Sequence, residues 1–289
     1  MDLDLDRIRD RRSIEELLQF GIVNLDKPSG PTSFRAASMA GKILNARKSC
    51  HYGTLDPKVT GVLPVGLNRA CRLAQWFLKK DKTYVGVMRL HRDVPLEEVE
   101  AEMPDFRGVI VQVPPVRSRV KRQARKREVY RWKITGVEGR DLRFVAEVEA
   151  GTYIRKLIHD LGERIGGAHM LSLRRTHAGP FGHEDESFVT LEQLERAVQI
   201  WRKGEEEPLR RALVPGEAIG RMLPVVWARE ECVEELLHGI PVRPDHLQEP
   251  PDLPEGEDFV ILSDERGLIE VARVVDEPDS LARPQFVRT

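Results

Sequence analysis

The chain has 289 residues, of which 40% are hydrophobic and 32% charged, and a formal net charge of -1. That length and apolar content support one large domain with a smaller companion, or two medium ones, and exclude a disordered chain, while the near-neutral total excludes a uniformly basic polyanion binder but not local basic patches. Cys50, Cys71 and Cys232 form no C-x-x-C pair, the amino terminus is charged where a signal segment is apolar, and no apolar run approaches the ~20 residues of a membrane span, so a soluble cytoplasmic protein with no disulfide framework, metal site or membrane partner is expected.

In chain order, Ile14, Leu17 and Leu18 mark a short helix, and the apolar run 21–25 a strand. The breaker-rich turn Asp26-Lys27-Pro28-Ser29-Gly30-Pro31 leads to Thr32 or Ser33, either able to cap a helix suggested by Phe34, Ala37, Ile43 and Leu44. In segment 51–61 (HYGTLDPKVTG), Pro57 pushes Asp56 out of the α region, and Gly53 and Gly61 bracket it with permissive joints. A carboxylate on a shaped loop is a candidate for chemistry, although Asp before Pro is also an ordinary turn device whose side chain bonds nearby amides. Tyr84, in Lys82-Thr83-Tyr84-Val85, lies on a predicted strand, where a tyrosine either fills core or stacks on a base.

Tyr130, Trp132 and Ile134 alternate with polar neighbours, as do Leu142, Phe144, Ala146 and Val148 beyond Glu138-Gly139-Arg140, which predicts a half-buried antiparallel hairpin. Ala150-Gly151-Thr152 runs into a helix with Ile154, Leu157, Ile158, Leu161 and Ile165 on one face, ended by Gly166-Gly167. Thr190 and Gln193 have capping-box spacing ahead of a helix through Leu191, Leu194 and Val198 to Trp201. The character then shifts: apolar residues 223–227, a short helix through Val233, Leu236 and Leu237, an acidic proline-rich connector over 245–258, and a hairpin whose strands flank Asp264-Glu265-Arg266-Gly267. A boundary near 220 is expected, with a mostly β tail.

Two features point to chemistry. Between Arg117 and Lys133 stand nine basic residues, Arg117, Arg119, Lys121, Arg122, Arg125, Lys126, Arg127, Arg131 and Lys133, against the single acid Glu128, a local charge of +8. Such one-sided charge repels itself unless a polyanion neutralises it, so RNA or DNA is the favoured partner over a merely solvated face. Arg155 falls in the first turn of its helix, where the helix dipole disfavours a cation by up to ~1 kcal/mol. A buried carboxylate partner justifies the position, and Asp56 is the obvious candidate; a side chain reaching out to solvent is the alternative. His159, His169, His177 and His183 lack the spacing of a metal site, and no Walker loop, dinucleotide fingerprint or nucleophile elbow is present, so no cofactor is expected.

Four segments in order resemble the TruB and dyskerin family of RNA pseudouridine synthases across residues of about 20–215: D-K-P-x-G-x-T-S at 26–33, G-T-L-D-P at 53–57, K-x-Y at 82–84, and Gly151-Thr152-Tyr153-Ile154-Arg155-Lys156-Leu157-Ile158. The resemblance implies an α+β pseudouridine synthase fold with a largely antiparallel sheet and flanking helices, and a small, mostly β PUA-like domain. It implies domains at 21–220 (catalytic) and 221–289 (PUA-like), with 1–20 packing on the latter. It implies that Asp56 is catalytic, that Tyr84 stacks on the target base and that Arg155 pairs with Asp56. Leu157 lines the uracil pocket, Lys27 supports the site, His51 helps hold the nucleotide flipped out, and Tyr153 joins the substrate-binding set. Residues 114–122 and 171–181 match further family segments, with Arg117, Arg119, Lys121, Arg122, Arg125 and Lys126 as RNA contacts. Cys50 and Tyr52 stand where the family has smaller residues, and Arg119 where it has alanine, departures expected to alter substrate contacts. The segment after Tyr84 resembles the archaeal and eukaryotic branch, which implies an H/ACA guide RNA, three small partner proteins and ribosomal RNA targets. A stand-alone synthase for uridine 55 of tRNA and a non-catalytic RNA-binding scaffold are the alternatives.

Overall fold

The computed structural model describes residues 3–113 and 123–288. Its larger sheet contains strands β1 (Gly21–Lys27), β2 (Ser49–His51), β3 (Thr60–Leu67), β4 (Lys82–Leu90), β5 (Gly108–Gln112), β6 (Arg125–Glu138), β7 (Asp141–Val148), β8 (Ala168–Ala178), β9 (Phe181–Gly182), β10 (Phe188–Val189) and β11 (Val214–Pro215). The order is β10-β1-β3-β8-β4-β7-β6-β5, with β11 added to β1, β2 to β3 and β9 to β8. Pairing is antiparallel except for β1 with β10 and β3 with β8. The second sheet, β12 (Val225–Trp227), β13 (Asp258–Ser263), β14 (Gly267–Glu277) and β15 (Ser280–Val287), runs in sequence order. The chain is thus α+β, as its sequence implies.

Local chemistry explains the elements. Thr32 accepts from the Arg35 amide at the start of helix Ser33–Ile43, and Thr190 and Gln193 make both bonds of a capping box ahead of helix Leu191–Trp201. Helix Ile154–Ile165 ends at Gly166, which adopts the left-handed φ of 86° that glycine reaches without strain. β1 is buried along both faces, Val23 and Leu25 joining the main core and Ile22 a second cluster. Trp132 is fully buried between edge-on contacts with Phe106 and Phe144, and removal of a side chain so placed costs about 3–5 kcal/mol.

Three details depart from the expected pattern. Phe34 is 74% exposed, because the helix turns Ser33, Ala36, Ala37 and Ala40 inward instead. Tyr130 points outward because the β6–β7 register shifts between Val129 and Arg131; the bulge buries Val129 in its place. β15 carries Pro284, which disguises it in the sequence, but as the last strand of its sheet it tolerates a residue that cannot donate.

The segment from Leu5 to Phe20 touches the second sheet directly. Leu5 and Phe20 share a cluster with Val260, Leu262, Leu268, Val271 and Phe286, and the Phe20 and Phe286 rings stack at 5.8 Å. Fully buried Glu217 accepts from Arg12 at 2.8 and 2.5 Å, from Arg288 at 3.1 Å and from the Leu268 amide at 2.9 Å. Burial pushes its carboxyl up, but the Arg12 hydrogen bonds and the Arg12 and Arg288 charges outweigh that and hold it below the usual carboxylate range. One carboxylate therefore ties the amino-terminal segment, the end of the large sheet and the carboxy-terminal sheet together.

Candidate active site

Asp56 sits on the loop joining β2 to β3, and buried polar groups hold that loop from beneath. Lys27, the last residue of β1, is fully buried and spends its three donors on the carbonyls of Pro28 (2.8 Å), Pro57 (3.0 Å) and Val59 (2.9 Å). Burial lowers its affinity for the proton, against the opposing pull of the Asp56 carboxylate. Ser33 accepts from the Leu55 amide at 2.7 Å and donates to the Leu55 carbonyl at 3.0 Å, and the Gly30 amide donates to Pro57 at 2.9 Å. Segments 26–33 and 53–59 are therefore one structural unit. The first supplies the donors that the second, a turn with few internal hydrogen bonds, cannot supply for itself.

On this platform Asp56 accepts from Arg155 at 2.5 Å, the two side chains 46% and 53% exposed. The pairing expected from the awkward position of Arg155 is present, but the partner is half open to solvent rather than buried. An ion pair so exposed contributes only ~0–1 kcal/mol to folding, so stability does not account for it. The helix start that carries Arg155 is fixed by buried Gln112, whose amide accepts from the Tyr153 N–H at 2.9 Å and donates to the Tyr153 carbonyl at 3.2 Å.

Three other sequence candidates lie on β2, on β4 and on the helix that carries Arg155. Tyr84 is buried on β4 in the core cluster that also contains Leu55 and Leu157. Leu157, two residues beyond Arg155, is wholly inside that core. His51, on β2, is half-buried; burial and then the charge of Arg175 hold its imidazole below the usual histidine range, and its buried Nδ1 has no hydrogen-bond partner among the described residues. Of the basic stretch, Arg117, Arg119, Lys121 and Arg122 lie outside the described residues, as does the whole 114–122 motif. Arg125 and Lys126 open β6, opposite Gln112 and Val111 of edge strand β5. Further along, Arg127 pairs with Glu149 at 3.2 Å and Arg131 with Glu147 at 3.0 Å, so this part of the stripe is neutralised from within and its self-repulsion is less than the sequence suggests.

Two departures from the family pattern also find a place. Tyr52 faces away from the Asp56 loop, stacking on Phe77 at 4.6 Å and donating to the Ala70 carbonyl at 2.6 Å; Gly66 must be glycine, since a Cβ there would lie 2.2 Å from the Tyr52 hydroxyl. Cys50 and Cys71, distant in sequence, both converge on Gly66: Cys50 pairs across the strands with it, Cys71 donates to its carbonyl at 3.2 Å, and Cys50 lies 3.8 Å from the Cys71 carbonyl. Tyr52 and Cys71 are buried there and Cys50 is partly buried.

Sequence reasoning passed over Arg175, Gln112 and the second role of Ser33. Arg175 lies within the matched segment 171–181, but only the fold shows what it touches. Among the described residues, no group of three or more His, Cys, Asp or Glu is arranged to hold a metal, and no helix is long and apolar enough to cross a membrane.

A sheet of this topology, carrying a loop aspartate paired with an arginine from a helix start, coincides with sequence matches that define the class. Residues 41–103 match the N-terminal domain of TruB family pseudouridylate synthases, 155–219 the C-terminal domain of tRNA pseudouridylate synthase B, and 10–35 the DKCLD (NUC011) domain. The chain belongs to the TruB family: it is a pseudouridine synthase, an isomerase acting on uridines in RNA. Among individual relatives, it is 50% identical over 232 residues to the probable tRNA pseudouridine synthase B of Thermococcus kodakarensis, covering 80% of this chain and 68% of that one. The corresponding protein of Methanopyrus kandleri is 45% identical over 232 residues, with 80% and 68% covered. A solved Cbf5-Nop10-Gar1 complex superimposes with a TM-score of 0.88 at 40% identity, covering 97% of this chain and 88% of that one. A solved H/ACA RNP bound to a substrate RNA containing 2'-deoxyuridine gives 0.87 at 38% identity, covering 96% and 88%.

Proposed function

We propose that this chain is the catalytic subunit of an H/ACA guide ribonucleoprotein that converts selected uridines of ribosomal RNA to pseudouridine, with Asp56 as the reacting carboxylate. The observation that carries the assignment is the half-open Asp56–Arg155 pair on a loop clamped by Lys27 and Ser33. The reaction breaks the C1'–N1 bond, turns the detached uracil, joins C1' to C5, and moves the C5 proton to solvent while N1 gains one. It acts on a base already drawn out of its stack. Asp56 either attacks C1' or removes a ribose proton; Arg155 stabilises and aims the carboxylate; Tyr84 supports the uracil face as it turns; and neutral His51 offers a ring at the loop's edge. Leu157 gives the uracil site an apolar floor, and Tyr153 fixes where Arg155 begins.

The likeness to Cbf5 structures with Nop10 and Gar1, and to one with substrate RNA, extends over nearly the whole chain and supports small H/ACA proteins and guide RNA as partners. In this reading 21–220 is the catalytic domain, 221–289 a PUA-like RNA-binding domain braced by 1–20, and the basic residues from Arg117 to Lys126 contact RNA in the cytoplasm. A second reading, a stand-alone synthase for uridine 55 of tRNA, draws on relatives named tRNA pseudouridine synthase B. A non-catalytic scaffold has no use for an Asp56–Arg155 pair. Pseudouridine formation is to be measured on tRNA transcript and on a guide-matched ribosomal RNA fragment, each with and without guide RNA and partner proteins. Activity on the fragment that requires every component supports the first reading; activity on bare tRNA alone selects the second; RNA binding without product on either substrate selects the scaffold.

A further inference from the structure

Arg175, on β8, is 1% exposed, and among the described residues no carboxylate pairs with it. A buried guanidinium without a counter-charge is costly, and an apolar side chain of the same length would fill the space at less expense to folding. What the guanidinium does contact is backbone on both sides of Asp56, at Gly53 in its loop and at Val62 on β3 beyond it. Its Nε donates to the Val62 carbonyl at 2.7 Å and its Nη2 to the Gly53 carbonyl at 3.2 Å. Gly53, at φ 126°, lies so close that a Cβ there would be 3.3 Å from Nη1, and a Cβ on Gly61 would be 2.1 Å from the Arg175 carbonyl. The same residue is the register partner of Gly61 on β3 and of Tyr84 on β4. Lys82 lies beside it, buried, donating to the carbonyls of Leu78 (2.9 Å) and Lys80. Burial first, then the Arg175 charge, brings the Lys82 ammonium down to about 8.

We propose that Arg175 is a positioning residue for the isomerisation: its guanidinium fixes both flanks of the loop that carries Asp56 and holds that loop in register with the strand that carries Tyr84. The proposal rests on the catalytic role assigned to Asp56. Removing the guanidinium takes one donor from each of two carbonyls and lets the loop shift against Tyr84, while the RNA-binding surface, which does not include this buried side chain, keeps its shape.

The test compares wild type, Arg175→Met and Arg175→Lys in the complete assembly with guide RNA, reading the single-turnover rate, the RNA concentration for half-maximal rate, and the melting temperature. Positioning predicts a rate at least about 100-fold lower for Arg175→Met at a half-saturating RNA concentration within about two-fold of wild type, and a partial recovery, about ten-fold, for Arg175→Lys, which keeps the charge but reaches one carbonyl. A folded variant with the wild-type rate, or a rate loss that only follows RNA affinity or the unfolded fraction, overturns it. If Arg175→Met does not fold, Arg175→Lys decides by the same readouts. A wild type inactive on either RNA with every component present overturns the functional reading itself, whereas an active wild type with indifferent variants overturns only the role of Arg175.

Discussion

The junction around Glu217 and the loop around Asp56 both bury charge, and they resolve it in opposite ways. At the junction the carboxylate meets Arg12 and Arg288, and its remaining capacity goes to the Leu268 amide. Charge closes on charge, and three parts of the chain are locked. Under the Asp56 loop, Lys27 and Arg175 meet carbonyls instead. Carbonyl dipoles satisfy the N–H groups without cancelling the positive charge, so the field remains beneath the loop that carries Asp56. The first arrangement serves stability, whereas the second spends stability on geometry and potential.

The largest expected effect is at the junction. Glu217→Ala removes the acid that buried Arg12 and part-buried Arg288 both bond, and is expected to cost roughly 3–5 kcal/mol in urea unfolding. Because the folded carboxyl titrates lower than the unfolded one, its contribution is full above about pH 4.5 and is lost as pH falls through the folded value; the acid arm of the wild-type stability profile shrinks in the variant. Retention of the wild-type acid arm would remove the distinction between the two regions.

Glu270 adds a third case, a buried acid whose two oxygens have no hydrogen-bond partner among the described residues, and burial pushes it up to about 8. Here the sign is reversed. The folded state binds the proton more tightly, so stability falls as pH rises from about 4.5 to about 8, by roughly 3–5 kcal/mol over that range. Glu270→Leu is expected to flatten this alkaline decline in thermal melts, with its largest gain at pH 8 and above; an unchanged pH profile counts against a protonated Glu270. Smaller again is Lys27→Met, which releases three loop carbonyls and is expected to lower the single-turnover rate about 100-fold while RNA affinity changes little. Arg131→Ala, removing one exposed pair with Glu147, is expected to cost less than ~1 kcal/mol and to shift the melting temperature hardly at all.

How much of this was legible in the sequence follows the range of the contacts. Caps, helix ends and hairpin alternation are local, and Thr32, Thr190, Gly166 and the β6–β7 strands stand where the pattern puts them. The Asp56–Arg155 pair was also legible, because Arg155 occupies a helix position that local energetics disfavour. The bulge at Tyr130 and strand β15 were not: a bulge is set by the neighbouring strand, and Pro284 argues locally against the strand that contains it. Arg175 and Gln112 were hidden for the same reason, since each bonds backbone groups far off in sequence and nothing in their own neighbourhood marks them. In segment 51–61 the loop is a turn, held by side chains from outside it, and the Asp56 carboxylate pairs with Arg155.

The most direct test of that account is single-turnover pseudouridine formation on a guide-matched RNA in the complete assembly, comparing wild type with Asp56→Ala and recording RNA affinity and melting temperature alongside. The account predicts a rate at least ~1,000-fold lower for the variant, with affinity and melting temperature close to wild type because the lost ion pair is half exposed. An Asp56→Ala enzyme that keeps its rate within about ten-fold of wild type, or one that loses activity only by unfolding, would contradict it.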